Sequence, residues 1–205
     1  MNRISTARLT RAALALLLAL TLAGLMTGCN KKAASETKST GTTAKANVAV
    51  AKSALSTTAP DAKLLLVQTA NVVTATSTPV WQYLFGSPKD GSIFAVTVAD
   101  GKVTATQPYG SAGLETSEWA AIPSIDEWKI DSDVAYKSAL AFDKNNNAKM
   151  PWAMGFVMYV PKSAQTSATI DPLVWSVSFD PQGTLGTPPE AINVSATTGK
   201  ASASK

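Results

Sequence analysis

Apolar and polar residues alternate with a period of two in several short segments, and this pattern predicts β-strands. In the segment 80–85, Trp81, Tyr83 and Phe85 fall on one side. The segment 173–179 alternates in the same way, and 93–98, 102–106 and 192–194 are predicted as further strands. The dipeptide Asp100-Gly101 predicts a tight hairpin between two of them. The apolar run 152–159 indicates one more strand.

Two segments have the spacing of amphipathic helices instead. The first begins at Pro60-Asp61 and places its Leu and Val residues up to position 73 largely on one side. The second covers 134–142 and follows Asp131-Ser132-Asp133, where polar side chains cap a helix start. The order of elements predicts an α+β fold with an antiparallel β-sheet and helices on one face. It is also compatible with two α-β-β-β units side by side.

The first 30 residues have a different pattern. Arg3, Arg8 and Arg11 precede an uncharged stretch rich in Ala and Leu, and small residues then lead to Cys29. This segment resembles a bacterial lipoprotein signal peptide, with residues 1–28 removed. The resemblance implies acylation of Cys29, which would anchor the protein in a membrane. An uncleaved transmembrane helix is the alternative, and both interpretations place the rest of the chain outside the cytoplasm.

The resemblance also bears on the location. In Gram-negative lipoproteins an Asp after the acylated cysteine favours retention at the inner membrane, and here the residue is Asn30. We therefore expect a lipid-anchored, extracytoplasmic protein of the cell envelope. In a Gram-negative organism, the outer membrane is favoured.

The composition divides the rest of the chain. Residues 29–59 begin with the acylated cysteine and contain mostly Lys, Ala, Ser and Thr, which predicts a flexible linker. Residues 60–196 are predicted to form the α+β domain, with subdomains 60–107 and 131–196. The polar tail 197–205 is predicted to be disordered.

Charge and residue usage argue against several functions. The chain has 18 basic and 14 acidic residues, but three of the basic residues lie in the predicted signal peptide. The mature protein would be almost neutral, so a nucleic-acid partner is not expected. The chain has no histidine, and its single cysteine is assigned to the anchor. We therefore expect that the protein is not an enzyme and that it binds no cofactor and no metal ion.

Two groupings of possible oxygen ligands or acid–base residues have structural interpretations. Asp143, Asn145 and Asn147 have the spacing that opens a calcium loop, but Ala148 stands where such a loop needs Gly, and Met154 where it needs Glu. The Asn-rich end of a helix accounts better for this segment. A second grouping contains Asp126, Glu127, Asp131 and Asp133. Helix capping accounts for Asp131 and Asp133 better than acid–base catalysis does.

The two halves of the domain repeat an order of motifs. Trp81 and Phe85 in the first half have counterparts in Trp175 and Phe179, and Gly101-Lys102 has a counterpart in Gly199-Lys200. The stretch 131–200, with its V-W-S-V-S-F and T-T-G-K motifs, resembles the PepSY type of extracytoplasmic domain. The segment 60–102 is a weaker copy. The family is generally non-catalytic and binds or regulates exported peptidases and envelope proteins, which implies a binding role.

The sequence therefore predicts a lipid-anchored protein that binds another protein or a peptide through a sheet face or edge. The alternative is a lipoprotein that binds a small ligand or a glycan through exposed tryptophans. Of the five Trp residues, most are expected in the core. Trp119 and Trp152 are expected to be the exposed ones and the candidate contacts for a ligand or partner.

Overall fold

Eight strands form one antiparallel sheet in the computed structural model, which describes residues 43–74, 76–143, 151–160, 172–179 and 191–204. The strands are β1 (Lys63–Thr69), β2 (Trp81–Gly86), β3 (Ser92–Ala99), β4 (Lys102–Ser111), β5 (Trp152–Val157), β6 (Val174–Phe179), β7 (Ala191–Ser195) and β8 (Ala201–Ala203). Their spatial order is β4-β3-β2-β1-β5-β6-β7-β8. Strands that are consecutive in the chain are therefore neighbours in the sheet, with one exception. Strands β4 and β5 are not adjacent, because β5 pairs with β1.

The sheet consists of two four-stranded meanders that meet through their first strands. At this junction Val67 lies opposite Phe156, and Gln68 lies opposite Gly155. On the other side of that pair, the Thr69 hydroxyl is close to the backbone of Met154, at 3.2 Å from its nitrogen and 3.4 Å from its oxygen. The contact of Thr69 with Met154 continues the register of β1 and β5 beyond the Gln68–Gly155 pair.

The hairpins in the two halves also correspond. Gly101, between β3 and β4, has a φ of +73°, and Gly199, between β7 and β8, has a φ of +75°. Both angles lie in the left-handed region that glycine adopts without steric cost. Asp100 also has a positive φ, as the first residue of a type I′ turn requires, so the hairpin predicted from Asp100-Gly101 is confirmed.

In the described residues, three α-helices accompany the sheet: α1 (Val48–Ser53), α2 (Thr116–Ala121) and α3 (Ser132–Phe142). Helix α1 contacts β2, β3 and β4, and α3 contacts β6, β7 and β8. Both lie on the same side of the sheet, here called the helix face, where Ala51, Ala135 and Ala139 join one buried cluster with the strands. The helix predicted after Asp131 is confirmed, and the Asp131 carboxylate accepts a hydrogen bond from the Ser132 amide.

An aromatic cluster fills the centre of the helix face. Trp128 and Trp175 are fully buried, with ring centroids 5.5 Å apart. Phe156 lies 4.5 Å from Trp128 and 4.9 Å from Trp175, and Trp81 lies 6.2 Å from Trp175. The indole nitrogens of Trp128 and Trp175 both donate to the Ile130 carbonyl, which satisfies their polar groups inside the core.

The linker predicted for residues 29–59 is wrong for its second half. A 3-10 turn (Lys45–Asn47) leads into α1, and Val48, Ala51 and Leu55 are buried against the sheet. Their spacing places them on one side of a helix. The segment looked unsuited to a core because it has few large apolar residues, although its alanines allow the helix to approach the sheet closely.

The helix predicted from Pro60-Asp61 is also wrong, because this segment contains β1. The strand lies between β2 and β5, so its apolar residues are distributed over both sides, and a bulge between Leu64 and Leu66 interrupts the alternation. A continuous apolar run of this kind does not distinguish a central strand from a helix.

Three boundaries change as well. The tail predicted to be disordered contains β8, which pairs with β7. The predicted subdomain 60–107 lacks α1 and the end of β4, whereas 131–196 lacks β8. The α+β class with an antiparallel sheet is confirmed, but each half has four strands rather than three, and α2 lies on the opposite side from α1 and α3.

Candidate functional site

The side of the sheet opposite α1 and α3, here called the outer face, carries short polar and small apolar side chains. Successive residues of a strand point to opposite sides, so Gln68 and Gln82 point away from their buried neighbours Val67 and Tyr83. The Nε2 group of Gln68 donates to Oε1 of Gln82 at 2.8 Å, which confirms that both side chains lie on the same side.

Polar residues on this face are aligned across seven strands. Each member lies opposite the next in the register of the sheet, with Gly155 between Gln68 and Ser176. This polar row consists of Thr97, Gln82, Gln68, Ser176, Asn193 and Ser202. Gln82 is buried, Ser202 is exposed, and the other four are half-buried. Directly opposed side chains are close enough to share one ligand.

Apolar and small residues flank the polar row. One side has the apolar row, formed by Ala95, Leu84, Leu66, Val157 and Val174 in register. The other side has Ala153, Ser178 and Ala191. Adjacent rows are about 6.7 Å apart, since every second residue of a strand points to the same side. The polar row therefore lies between an apolar row on one side and, over β5, β6 and β7, a row of small residues on the other.

Helix α2 closes one end of this face beyond the apolar row. The Trp119 ring packs over Gly86, where a Cβ atom would lie 2.5 Å from Trp119 Cη2 and 2.9 Å from Leu65 Cδ1. The Lys63 amino group donates to the Trp119 carbonyl at 2.8 Å and ties the helix to β1. Glycine at position 86 is thus required for the close approach of α2 to the sheet.

A carboxylate at the same end is held by hydrogen bonds. Glu118 is buried, and its two oxygens accept from the Glu115 amide at 3.1 Å and from the Tyr159 hydroxyl at 3.2 Å. Desolvation, followed by the charge of Glu118, raises the pKa of Tyr159. The bond to Glu115 forms part of a capping box of α2, so these contacts fix the helix on the outer face.

The helix face is instead closed by hydrogen bonds between the starts of α1 and α3. The Ala44 amide donates to Ser132 Oγ at 3.0 Å, and the Lys45 amide donates to Asp131 Oδ1 at 2.9 Å. The Tyr83 hydroxyl donates to the Ala44 carbonyl at 2.7 Å. Burial, followed by the negative charge of Asp131, raises the pKa of Tyr83 well above its usual range. Ala44, Tyr83 and Ser132 are buried, Lys45 and Asp131 are half-buried, and the hydrogen bonds among them hold the starts of the two helices together.

The structure separates the two tryptophans proposed as contacts. Trp119 is only 5% exposed, so the prediction that it is exposed is wrong; its ring is the group that packs over Gly86. Trp152 is half-buried and packs beside the helix-face core, with its ring 4.9 Å from that of Tyr136. The two residues lie on opposite sides of the sheet and do not form a common surface. The expectation that most tryptophans lie in the core is confirmed by Trp81, Trp128 and Trp175.

Strand β4 is the long edge of the sheet and is exposed along almost its whole length. Its register with β3 shifts twice, between Ile93 and Phe94 and between Thr97 and Val98. It also contains Pro108, which has no amide hydrogen to donate. Bulges and proline are devices that prevent another strand from adding to an edge. The edge is therefore less suited to binding than the outer face.

Several of the remaining predicted sites lie outside the residues that the structure describes. Cys29 and the signal peptide 1–28 lie outside the described residues, as does most of the calcium-like segment after Asp143. Within the described ranges, no group of three or more His, Cys, Asp or Glu residues could hold a metal ion. The same part of the chain contains no helix long and apolar enough to cross a membrane. Asp131 caps α3, as predicted.

Comparisons with models of protein families, with curated proteins and with solved structures found no match.

Sequence reasoning missed the residues of the outer face. Gln68 falls in a segment that was predicted as a helix, so its pairing with Gln82 was hidden. Ser176 and Asn193 were visible only as the polar positions of alternating strands. One feature of the sequence could have indicated this face. The polar positions of six strands are occupied by uncharged residues rather than by the Lys and Glu typical of a solvent-facing surface.

Proposed function

We propose that this chain is a non-catalytic, lipid-anchored protein of the bacterial cell envelope that binds an extended segment of another protein across its outer face. Cys29 would be the acylated residue, and the polar row with its neighbouring apolar row would form the contact surface. Each half of the sheet would then be a PepSY-like unit with one additional strand.

The alignment of the polar row with the apolar row carries this proposal. Over β1, β5 and β6 the two rows remain half-buried rather than sealed, for example at Gln68, Val157 and Ser176. An extended segment lying across the strands could place its polar groups over one row and its apolar groups over the other. Short side chains such as Ser and Gly present a flat surface that loses little conformational entropy on binding.

The contacts favour a protein partner over a glycan. Sugar sites use exposed aromatic rings, and the two candidates for this role, Trp119 and Trp152, lie on different sides of the sheet. Trp119 is also occupied by its contact with Gly86. A polypeptide needs no aromatic platform, since main-chain amides and small apolar side chains match the two rows.

A pair of variants of the full-length, membrane-anchored protein would test the binding surface. Ser176→Arg places a long cation in the middle of the polar row, between Gly155 and Asn193. We expect it to reduce the protein that co-purifies from detergent-solubilised membranes by about tenfold, equivalent to about 1.4 kcal/mol. The control, Lys137→Ala on the exposed side of α3, should have no effect. Equal recovery with Ser176→Arg and with the control would contradict the proposal.

The anchor is tested separately with Cys29→Ser. This variant should remain unprocessed and unacylated, and its intact mass should retain residues 1–28. If it matured to the same mass and stayed in the membrane fraction like the wild type, the lipoprotein assignment would be wrong.

A further inference from the structure

The three rows of the outer face carry no charge. The polar row, the apolar row and the small-residue row of Ala153, Ser178 and Ala191 contain no Asp, Glu, Lys or Arg. Charged side chains such as Lys137 and Asp133 lie instead on the exposed side of α3. Two outer faces therefore meet without bringing like charges together, as a surface that binds its own copy requires.

The side chains of the polar row are also complementary to themselves. An amide has donors and an acceptor, and a hydroxyl acts as either, so Gln68, Ser176 and Asn193 can each bond to the same residue of a second copy. The hydrogen bond to Gln82 uses one N–H group of Gln68, whose amide has a second N–H group and a carbonyl oxygen. In a two-fold pair each patch meets its own copy, so this self-complementarity favours association.

Helix α2 determines how two outer faces can meet. It closes the end of the face beyond the apolar row, where Trp119 packs over Gly86. A two-fold axis parallel to the strands would place α2 of one copy against α2 of the other. An axis along the polar row places the two helices at opposite ends, so the two sheets can approach each other to the usual distance of about 10 Å.

The same axis matches larger side chains with smaller ones. On β5, Val157 and Ala153 lie on opposite sides of Gly155 in the polar row, and β6 repeats this arrangement with Val174 and Ser178. Rotation about the polar row places each valine of one copy over the small residue of the other. Facing layers that alternate large and small residues in this way interdigitate at the density of a protein interior.

The size of the face suits a reversible pair. The polar row crosses seven strands, which at about 4.8 Å for each spacing is about 29 Å. Three rows of about 6.7 Å each give about 20 Å, so each copy would bury roughly 600 Å². The total of about 1,200 Å² is at the lower limit for specific protein interfaces. We therefore expect an equilibrium between single and paired chains.

We infer that two copies of this chain associate through their outer faces, with the two-fold axis along the polar row. The association itself does not depend on the proposed function. A paired copy cannot hold a segment of another protein on the same face, so pairing would regulate that binding. This last consequence rests on the proposed function.

Substitutions of opposite charge in the polar row test the pairing. Gln68→Glu and Gln68→Lys each place like charges face to face in a pair of identical chains. The full-length variants are purified in detergent, and their association is measured by sedimentation equilibrium at about 1 to 100 µM, the weak end of the range for interfaces. We expect the wild type to dimerise, and each variant alone to have a dimer dissociation constant higher by about tenfold or more.

An equimolar mixture of the two variants is the decisive sample. Opposite charges then meet across the axis, so we expect the dissociation constant to return to within about threefold of the wild-type value. Misfolding cannot explain such a recovery, because a misfolded chain does not regain association on mixing. The control, Lys137→Ala on the exposed side of α3, should associate like the wild type.

Three results would overturn the pairing: a wild type that stays monomeric over this range, single variants that dimerise as well as the wild type, or a mixture that does not recover. These samples contain no other protein, so the proposed function is decided separately by co-purification with Ser176→Arg. A dimer that forms as expected, together with undiminished co-purification by Ser176→Arg, would overturn the proposed function alone.

Discussion

The two sides of the sheet are built from different kinds of side chain. The helix face contains rings such as Trp128, Trp175 and Phe156, packed within 6 Å of one another and covered by α1 and α3. The outer face has Gln, Ser, Asn and small apolar residues in register, with one short helix at its end. The difference indicates that the helix face supplies most of the folding free energy, because large buried apolar areas dominate stability. The outer face contributes less to the core, which leaves its side chains available for the proposed binding.

The largest expected effect comes from truncating the aromatic cluster. Trp128→Ala removes a fully buried ring that packs 4.5 Å from the Phe156 ring and whose indole nitrogen donates to the Ile130 carbonyl. We expect a loss of about 3–5 kcal/mol in the free energy of unfolding, measured by urea denaturation, because the cavity adds to the lost burial. A loss below about 1 kcal/mol would show that the helix face is not the principal core.

Substituting each of two glycines by alanine compares a crowded and an open position of the outer face. Gly86→Ala would place a methyl group 2.5 Å from Trp119 and should cost about 1–3 kcal/mol, because the contact is overpacked. Gly155→Ala has only ordinary contacts of 3.8 Å, with Gln68 and Val67, and should change stability by less than about 1 kcal/mol in either direction. Thermal or urea unfolding of both variants measures the difference. Similar losses in the two would show that α2 does not limit space at Gly86.

Removing the N-terminal cap of α3 should reduce stability by a smaller amount. Asp131→Ala removes the acceptor of the Ser132 and Lys45 amides and should cost about 1 kcal/mol, within the range of 0.5–2 kcal/mol for N-caps. The matched control is Asp133→Ala, whose only described ion pair, with Lys137, is an exposed contact of 3.8 Å. That control should change the unfolding free energy by less than about 0.5 kcal/mol. Equal losses in the two variants would argue against the capping role of Asp131.

The Tyr83 hydroxyl should have a comparable effect with a pH dependence. Tyr83→Phe removes the bond to the Ala44 carbonyl and should cost about 0.5–1.5 kcal/mol near neutral pH. Because burial raises the pKa of Tyr83 in the folded state, the folded protein holds this proton more tightly than the unfolded chain. This contribution to stability is complete below the unfolded pKa of 10.0 and decreases as the pH rises above it.

The pH dependence is measured as the difference in unfolding free energy between wild type and Tyr83→Phe from pH 8 to pH 11. The wild type should lose its advantage above about pH 10, where the unfolded tyrosine ionises. Tyr136→Phe is the control, since its hydroxyl is less buried. An advantage that stayed constant or grew with pH would contradict the burial of this hydroxyl.

The sequence allowed the prediction of elements whose pattern is local. The alternation in β2, β3 and β6, the Asp-Gly hairpin and the cap of α3 all depend on neighbouring residues. The errors concern residues whose environment is set by distant strands. Leu66 and Val67 look helical because β1 is a central strand with apolar residues on both of its sides, and Val48 looked like part of a linker because its burial depends on the sheet. The exposure of Trp119 was mispredicted for the same reason, since Gly86 and Leu65 are remote in sequence.

The proposed binding surface was predictable only as a general possibility, a sheet face or an edge. The polar row requires the order of all strands and the pairing of β1 with β5, which joins the two halves. A period of two indicates which residues share a side of one strand. It does not indicate which residues of distant strands lie opposite one another.

Site-specific photo-crosslinking in the intact cell envelope tests the central claim most directly. A photoreactive amino acid is placed at Ser176 in the polar row and, in a second variant, at Lys137 on the helix face. The account predicts a discrete adduct with another protein from position 176 and none from position 137. Adducts from position 137 alone, or equal adducts from both positions, would contradict the assignment of binding to the outer face.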